Sequence, residues 1–364
     1  RPFDWREAKK MVLLLNNDEV ASLLTMENVM QVLDEAYLDV DKGLAANRPR
    51  TFTTCPTSRG RFTANTHEGV LASKKVYDIR IVTHPVISKE ESSTIGQHAP
   101  LNVSLDLLYD TESGDLLAII QDGYLQKMRV QATNAIAARY MARKDTERIA
   151  LLGSGWQATA AIAAMRSVRP IKSVKVYSRN AERRTKFAQQ MEHTHEGIAV
   201  KAVDGPEEAV RGADMVVCAT NSKVAVCKGE WLEKGMHLTG VLPGEFDFEC
   251  YKRADYIVIF NRLHGRDYVL SRSPDEVRLE HPPHAALLKD APEIIDLVSS
   301  KAPGRKSNDQ ITIFANGGHG WGLDGGPGYG IQFTAVAKLA YDLAKERGMG
   351  RELPLEWFQQ NVSS

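Results

Sequence analysis

Residues 148–158 read Arg148-Ile149-Ala150-Leu151-Leu152-Gly153-Ser154-Gly155-Trp156-Gln157-Ala158. An apolar run leads into Gly153-x-Gly155-x-x-Ala158, and a helical pattern follows. A strand entering such a turn and leaving it as a helix is the phosphate-binding element of a dinucleotide fold. The first glycine permits the tight backbone, the second lets the chain approach a pyrophosphate, and a small third residue lets helix and strand pack. The helix N-terminus then offers its N–H groups and the positive end of its dipole to the anion. Gly153, Ser154, Gly155, Trp156, Gln157 and Ala158 are therefore the expected cradle.

Downstream, apolar runs at helix and strand spacing alternate strictly. Helices are expected over 159–168, 181–192 and 206–211, and strands over 173–177, 198–203 and 215–219. That alternation is a parallel sheet with its crossover helices. Further runs at 237–241, 256–260 and 311–314 bring the expectation to about six strands. The fold class is thus α/β: a Rossmann-type doubly wound parallel sheet over 131–318, plus an α+β unit made of 1–130 and 319–364.

The upstream pattern differs. A short strand is expected over 11–15, and Val29, Met30, Leu33, Ala36, Tyr37 and Val40 recur at helical spacing. Leu101, Val103, Leu105 and Leu107 alternate along a strand, a turn follows at 110–115, and a second strand returns over 116–120, which makes a hairpin. Residues 50–100 read as strands separated by loops, with one strand carrying Leu71 to Val76. Ala132, Ala135, Ile136, Ala137 and Ala138 mark a close-packing helix that leads into the nucleotide unit. An amphipathic helix over 329–347 ends at Gly348 and Gly350. Before it lies a glycine cluster at 317–328, and the polar span 262–308 reads as an insertion or a lid.

Lys plus Arg equals Asp plus Glu at 46 each in 364 residues, so no overall field favours nucleic acid or an anionic membrane. No apolar run approaches the ~20 residues that span a bilayer. Cys55, Cys218, Cys227 and Cys250 are widely spaced and suggest neither a disulfide framework nor a metal site. Arg1-Pro2-Phe3-Asp4 shows no secretory apolar segment. A cytoplasmic protein with a small-molecule partner is expected.

The end of the second nucleotide-domain strand reads the adenosine ribose. An acid there accepts from the 2′-hydroxyl, whereas a base accommodates a 2′-phosphate. Here it reads Tyr177-Ser178-Arg179-Asn180, with no acid and a guanidinium suited to a phosphate monoester. NADP(H) is favoured over NAD(H), although Arg179 also reads as an exposed helix-start residue. Thr220 and Asn221, at the end of the fourth strand, are expected along the cofactor.

The chain from about 11 to 350 resembles the ornithine cyclodeaminase/mu-crystallin family. The resemblance rests on the segment Leu71 to Val76, the hairpin ending in Gln121-Asp122-Gly123, Lys127-Met128-Arg129 with its Ala-rich helix, the Gly-x-Gly-x-Gln-Ala turn, and the run Pro303 to Thr312. It implies an active site between a nucleotide domain and a substrate-binding, dimerising domain, and hence a homodimer. It also implies that Arg50 and Arg129 bind a substrate carboxylate and that Lys74 is the active-site lysine, with Lys75 the competitor if the strand is offset by one. A guanidinium can clamp a carboxylate through two bonds, and an ammonium can relay a proton. The ordinary fate of either side chain is a surface ion pair.

One departure concerns the reaction. Cyclodeaminases of the family carry an acid just after the glycine that this chain places at Gly240, and here Val241 follows. An apolar side chain takes no proton, so the expectation moves toward a reductase of a C=N bond beside a carboxylate, or an amino acid dehydrogenase. Val241 remains a cofactor-lining expectation. Glu245 and Asp247 are nearby acids with helix-start spacing. A cyclodeaminase acting on a basic amino acid and a non-catalytic binder of nucleotide and small ligand are the alternatives. His319 and Asp324, in the glycine cluster, read as loop residues or as pocket groups.

Overall fold

The computed structural model describes residues 10–58, 60–87, 102–222, 224–262, 268–269, 287–315 and 329–360. The glycine cluster 317–328, with His319 and Asp324, lies outside the described residues, as does most of 263–286. Two sheets organise the chain, and one long helix runs between them.

The nucleotide sheet contains β7 (Arg148–Leu152), β8 (Ser173–Tyr177), β9 (Ala199–Ala202), β10 (Met215–Cys218), β11 (His237–Gly240), β12 (Tyr256–Ile259) and β14 (Thr312–Ala315), in the order β12-β14-β11-β10-β7-β8-β9 and parallel throughout. Seven strands stand where about six were expected, and β14, from the run expected over 311–314, inserts between β11 and β12. Every residue of β10, β11 and β14 is buried. That is why these strands read as unbroken apolar runs: crossover elements cover both faces of a parallel sheet. Strand order reverses between β7 and β10, and ligands of open α/β sheets bind at the carboxyl ends of the strands at such a switch point.

The second sheet has eight strands: β1 (Met11–Leu15), β2 (Ala45–Thr57), β3 (Gly60–Leu71), β4 (Val76–Ile87), β5 (Val103–Asp110), β6 (Leu116–Gln121), β13 (Tyr268–Val269) and β15 (Arg351–Pro354), ordered β13-β2-β3-β4-β5-β6-β1-β15. Strands β2 to β6 form an antiparallel meander, β1 runs parallel to β6, and β13 adds to β2. Residues 71–76 are not a continuous strand. Ala72–Lys74 is a 3-10 turn, and Lys75 is left-handed at φ 55.

The helix Gly123–Met141 joins the two sheets. It packs on the helices Met26–Asp41, Ala158–Arg166 and Gly330–Arg347 and on β11 and β14. Ala132, Ala135, Ile136, Ala137 and Ala138 are all fully buried, so small side chains are what admit neighbours on several sides. The helix Gly330–Arg347 lies across β2 to β5 and ends on left-handed Gly348. Gly69 and Gly330 make that contact close, since a Cβ at Gly330 would run into the Glu68 carbonyl. Among the described residues no helix is long and apolar enough to cross a membrane.

Candidate functional site

At the switch point, Gly153 takes φ 123 and a Cβ there would meet the Ala219 carbonyl. Gly155 faces open space. No side chain caps the helix Ala158–Arg166, so its first turn is open to an anion. Ala158 is fully buried beneath. The Gln157 side chain turns inward: Gln131 Nε2 donates to Gln157 Oε1 at 3.2 Å, Asn134 Nδ2 to Gln131 Oε1 at 3.4 Å, and Thr239 Oγ1 to Asn134 Oδ1 at 2.9 Å. A buried polar chain thus anchors the turn to the long helix and to β11, which gives Gln157 a physical reason to be there.

A groove of about 960 Å³ opens from this turn. Gly153, Ser154, Gly155, Trp156, Gln157, Ser178, Arg179, Asn180, Thr220 and Asn221 all line it. Val241 does not; it packs half-buried against the core. Ser154 Oγ donates to Ser178 Oγ at 2.8 Å. Asn180 is occupied as the cap of the helix Ala181–Thr194, accepting from Arg183 N at 2.8 Å. Arg179 and Arg183 are exposed at the groove, and neither makes an ion pair among the described residues. A dinucleotide fits this donor set: a glycine-cleared turn, an open helix end and two cations beyond the second strand.

Glu245 is a groove-shaping residue that its sequence position did not reveal. Its carboxylate is fully buried. It accepts from Thr220 N at 2.6 Å, Thr220 Oγ1 at 2.8 Å, Val241 N at 2.8 Å and Leu242 N at 2.9 Å. It therefore ties the end of β10 to the end of β11, and through Leu242 N it also closes the start of the 3-10 turn Pro243–Glu245, the helix-start role its spacing suggested. Burial pushes its pKa up despite those bonds. Asp247 does cap a helix, Phe248–Arg253, accepting from Cys250 N at 2.9 Å.

Arg129 sits two residues before Gln131 on the long helix. Its guanidinium lies 4.5 Å from the Phe333 ring, and its Nη1 donates to Gln332 Oε1 at 3.0 Å. Its Nε is buried with no partner, and among the described residues no carboxylate pairs with it. Burial first, then Arg80, pulls its pKa down to about 9. Such a cation remains charged near neutrality and favours the arrival of an anion.

Arg80, from β4, covers the same ring at 4.4 Å but is almost saturated. It pairs with Asp122 through Nε, meets His67 Nδ1 at 3.4 Å, and donates to Gln126 Oε1 at 2.9 Å and Ser104 Oγ at 3.3 Å. His67 is buried against Phe333 at 5.0 Å, and burial, then Arg80, holds its pKa well below the usual value. Arg50 from β2 lies 4.6 Å over Phe52, and its charge acts on both His67 and Arg129. Sequence reasoning missed Arg80, His67 and Phe333. His67, Arg80 and Asp106 stand opposite one another on three neighbouring strands, a register that no single stretch of sequence displays.

The structure does not bring Lys74 to this cluster. Lys74 Nζ pairs with Glu35 at 2.7 Å with its side chain 43% exposed, and Lys75 pairs with Glu112 at 2.9 Å. The turn at 72–75 separates both from the inward face of β4, so an offset of one strand position rescues neither.

Asp78 and Asp106 lie buried on that inward face. Burial first, then Asp122 for Asp78 and Asp78 for Asp106, holds both pKa values well above the carboxylate range. The folded state then keeps protons that the unfolded chain gives up from about pH 4. Stability from this pair is present at acid pH and falls as pH rises. Asp78→Asn is expected to flatten that fall between pH 5 and 8 in thermal unfolding; a steeper fall in the variant would contradict it.

The fold and groove define a dinucleotide-binding α/β protein with a cluster of arginines against Phe333 beside the joining helix. The ornithine cyclodeaminase/mu-crystallin family model matches residues 9–347, and the chain belongs to that family. It is 29% identical over 348 residues to an alanine dehydrogenase of Archaeoglobus fulgidus, covering 94% of this chain and 98% of that one. The solved Thermococcus litoralis Delta(1)-pyrroline-2-carboxylate reductase, in complex with NADH and L-proline, superposes with a TM-score of 0.77 at 25% identity, over 94% of this chain and all of that one. An archaeal alanine dehydrogenase dimer with bound NAD superposes at 0.76 and 26% identity, over 94% and 99% of the two chains.

Proposed function

We propose that the chain is an NAD(P)H-dependent reductase of a C=N bond adjacent to a carboxylate, acting on an imino acid or interconverting a 2-oxo and a 2-amino acid. Arg129 carries this reading: it is a half-buried guanidinium without an acid among the described residues, two positions along the helix from Gln131, which holds the glycine turn. Arg129 binds the carboxylate with Arg50 beside it, Arg80 and His67 shape the floor, and the substrate lies between the nucleotide unit of 131–318 and the rest of the chain. The reduced nicotinamide supplies the hydride. The protein fixes the α-carbon against it and excludes water. Lys74 has no part in this arrangement. The similarity to proteins that hold NADH with L-proline, or NAD, supports the substrate class.

The test mixes the chain with NADPH or NADH and a panel of cyclic imino acids and 2-oxo acid plus amine pairs. Loss of near-ultraviolet cofactor absorbance is expected for at least one pair, and silence with both cofactors sinks the proposal. Ammonia release from a basic amino acid without added oxidant would instead identify a cyclodeaminase. Val241 argues against that outcome, and Glu245 cannot replace the missing acid because its oxygens already accept four bonds.

For the cofactor we favour NADP(H), on the two exposed guanidinium groups Arg179 and Arg183 and the absence of an acid from Tyr177 to Asn180. A hydrogen bond to a charged group contributes about 1.5–3 kcal/mol. Arg179→Ala should raise KM for NADPH at least ~10-fold and leave that for NADH within about twofold; equal changes would remove the preference.

A homodimer is supported by the outer face of the eight-stranded sheet. Ile79, Ile81, Val103 and Leu105 point away from the helix Gly330–Arg347, with Ile81 37% and Val103 59% exposed. Contiguous aliphatics on a sheet face mark an interface. Light scattering is expected to return twice the chain mass, and Ile81→Asp the mass of one chain; a monomeric wild type would refute it.

A further inference from the structure

Gln332 and Phe333 open the helix that crosses the eight-stranded sheet, and both touch Arg129. The direction of every hydrogen bond around Gln332 can be worked out. Thr133 Oγ1 donates to the Arg129 carbonyl at 2.8 Å, which leaves its oxygen to accept. Gln332 Nε2 lies 2.6 Å from that oxygen and 2.6 Å from the Tyr37 hydroxyl, which is itself 3.1 Å from Thr133 Oγ1. With its hydrogen committed to Arg129, Thr133 must accept from both Tyr37 and Gln332, and Tyr37 must accept from Gln332. Both amide hydrogens of Gln332 are then used, and its oxygen faces Arg129 Nη1 at 3.0 Å. Gln332, Thr133 and Tyr37 are all fully buried, so water does not compete for these bonds.

We propose that Gln332 is a positioning residue: its amide oxygen, held in one orientation by Tyr37 and Thr133, aims the Arg129 guanidinium so that its free edge meets the substrate carboxylate while its charge stays uncompensated. This rests on the carboxylate role proposed for Arg129. A neutral acceptor suits the task. An acid at 332 would hold the guanidinium as firmly but cancel the charge that attracts the substrate. Phe333, on the next residue, supports the same group from its face without taking a donor.

The test compares Gln332→Leu with Gln332→Glu in the full chain. Binding of L-proline and L-alanine is measured by calorimetry with cofactor present, and KM and kcat are measured on whichever imino acid turns over. Gln332→Leu is expected to weaken carboxylate binding and raise KM about 10-fold, with a smaller change in kcat, at unchanged cofactor affinity. Gln332→Glu is expected to weaken carboxylate binding further, because the new charge occupies Arg129. A purely structural role predicts the opposite order or equal losses, accompanied by loss of cofactor binding. Wild-type carboxylate affinity in a Gln332→Leu chain that still binds cofactor overturns the proposal, as does tighter binding in Gln332→Glu than in Gln332→Leu. Carboxylate binding without turnover of any imino acid overturns the proposed reaction alone. A wild type that binds no carboxylate overturns both.

Discussion

Arg129→Leu should lower kcat/KM by roughly 10²–10⁴, while the binary affinity for cofactor stays within about twofold. The size follows from the geometry. A guanidinium that clamps a carboxylate through two charge-assisted bonds contributes about 1.5–3 kcal/mol for each, and 1.4 kcal/mol corresponds to tenfold. Stability should move little. Arg129 has no acid partner among the described residues and leucine suits the aromatic surface of Phe333, so the main cost is the donor lost to buried Gln332 Oε1, about 1–3 kcal/mol. A thermal midpoint within a few degrees of wild type, together with near-complete loss of turnover, is the expected signature. Activity within fivefold of wild type would show that the carboxylate is held elsewhere.

The second large effect belongs to the glycine turn. Gly153→Ala places a methyl group against the Ala219 carbonyl, on backbone at φ 123. Backbone strain of this kind costs of order 1–3 kcal/mol, and overpacking a similar amount. Against a typical total of 5–15 kcal/mol this is a large fraction. β10 is displaced where Thr220 begins the groove, so both the thermal midpoint and cofactor binding should fall, by several degrees and at least ~10-fold. Gly155→Ala separates the two consequences. Its new methyl meets no protein atom, so the chain should melt as wild type does while losing cofactor affinity, read by quenching of the exposed Trp156. Unchanged affinity in Gly155→Ala would move the pyrophosphate away from this turn.

The nucleotide half was legible because burial there is simple. Parallel strands covered on both faces leave apolar runs, and the strand Ser173–Tyr177 matches its expected bounds. The other half was legible only at its ends. Strand Met11–Leu15 is a plain apolar run and β6 alternates between buried and half-buried positions, which made both visible. Strands β2 to β4 bury His67, Asp78 and Arg80, with Asp106 opposite on β5, and expose Ile81. Hydropathy therefore reads their inward face as surface. That inversion hid Arg80, whereas Lys74, named through the family resemblance, is a turn residue paired with Glu35. Of the cofactor expectations, Val241 fell outside the groove because Glu245 pins its backbone N–H and its side chain turns into the core. No local pattern reports a bond between residues 25 positions apart, as between Glu245 and Thr220.

Helix Gly123–Met141 carries Arg129 and Gln131 within a single turn, one facing the pocket and the other holding Gln157. On the proposed roles, one helix carries the carboxylate's contact and the support of the glycine turn two residues apart, and the two binding events are expected to be thermodynamically linked. If occupation of the glycine turn settles the helix, the carboxylate binds more tightly, and the carboxylate must strengthen cofactor binding by the same factor. Each ligand is then expected to lower the other's dissociation constant by one common factor, whichever binds first.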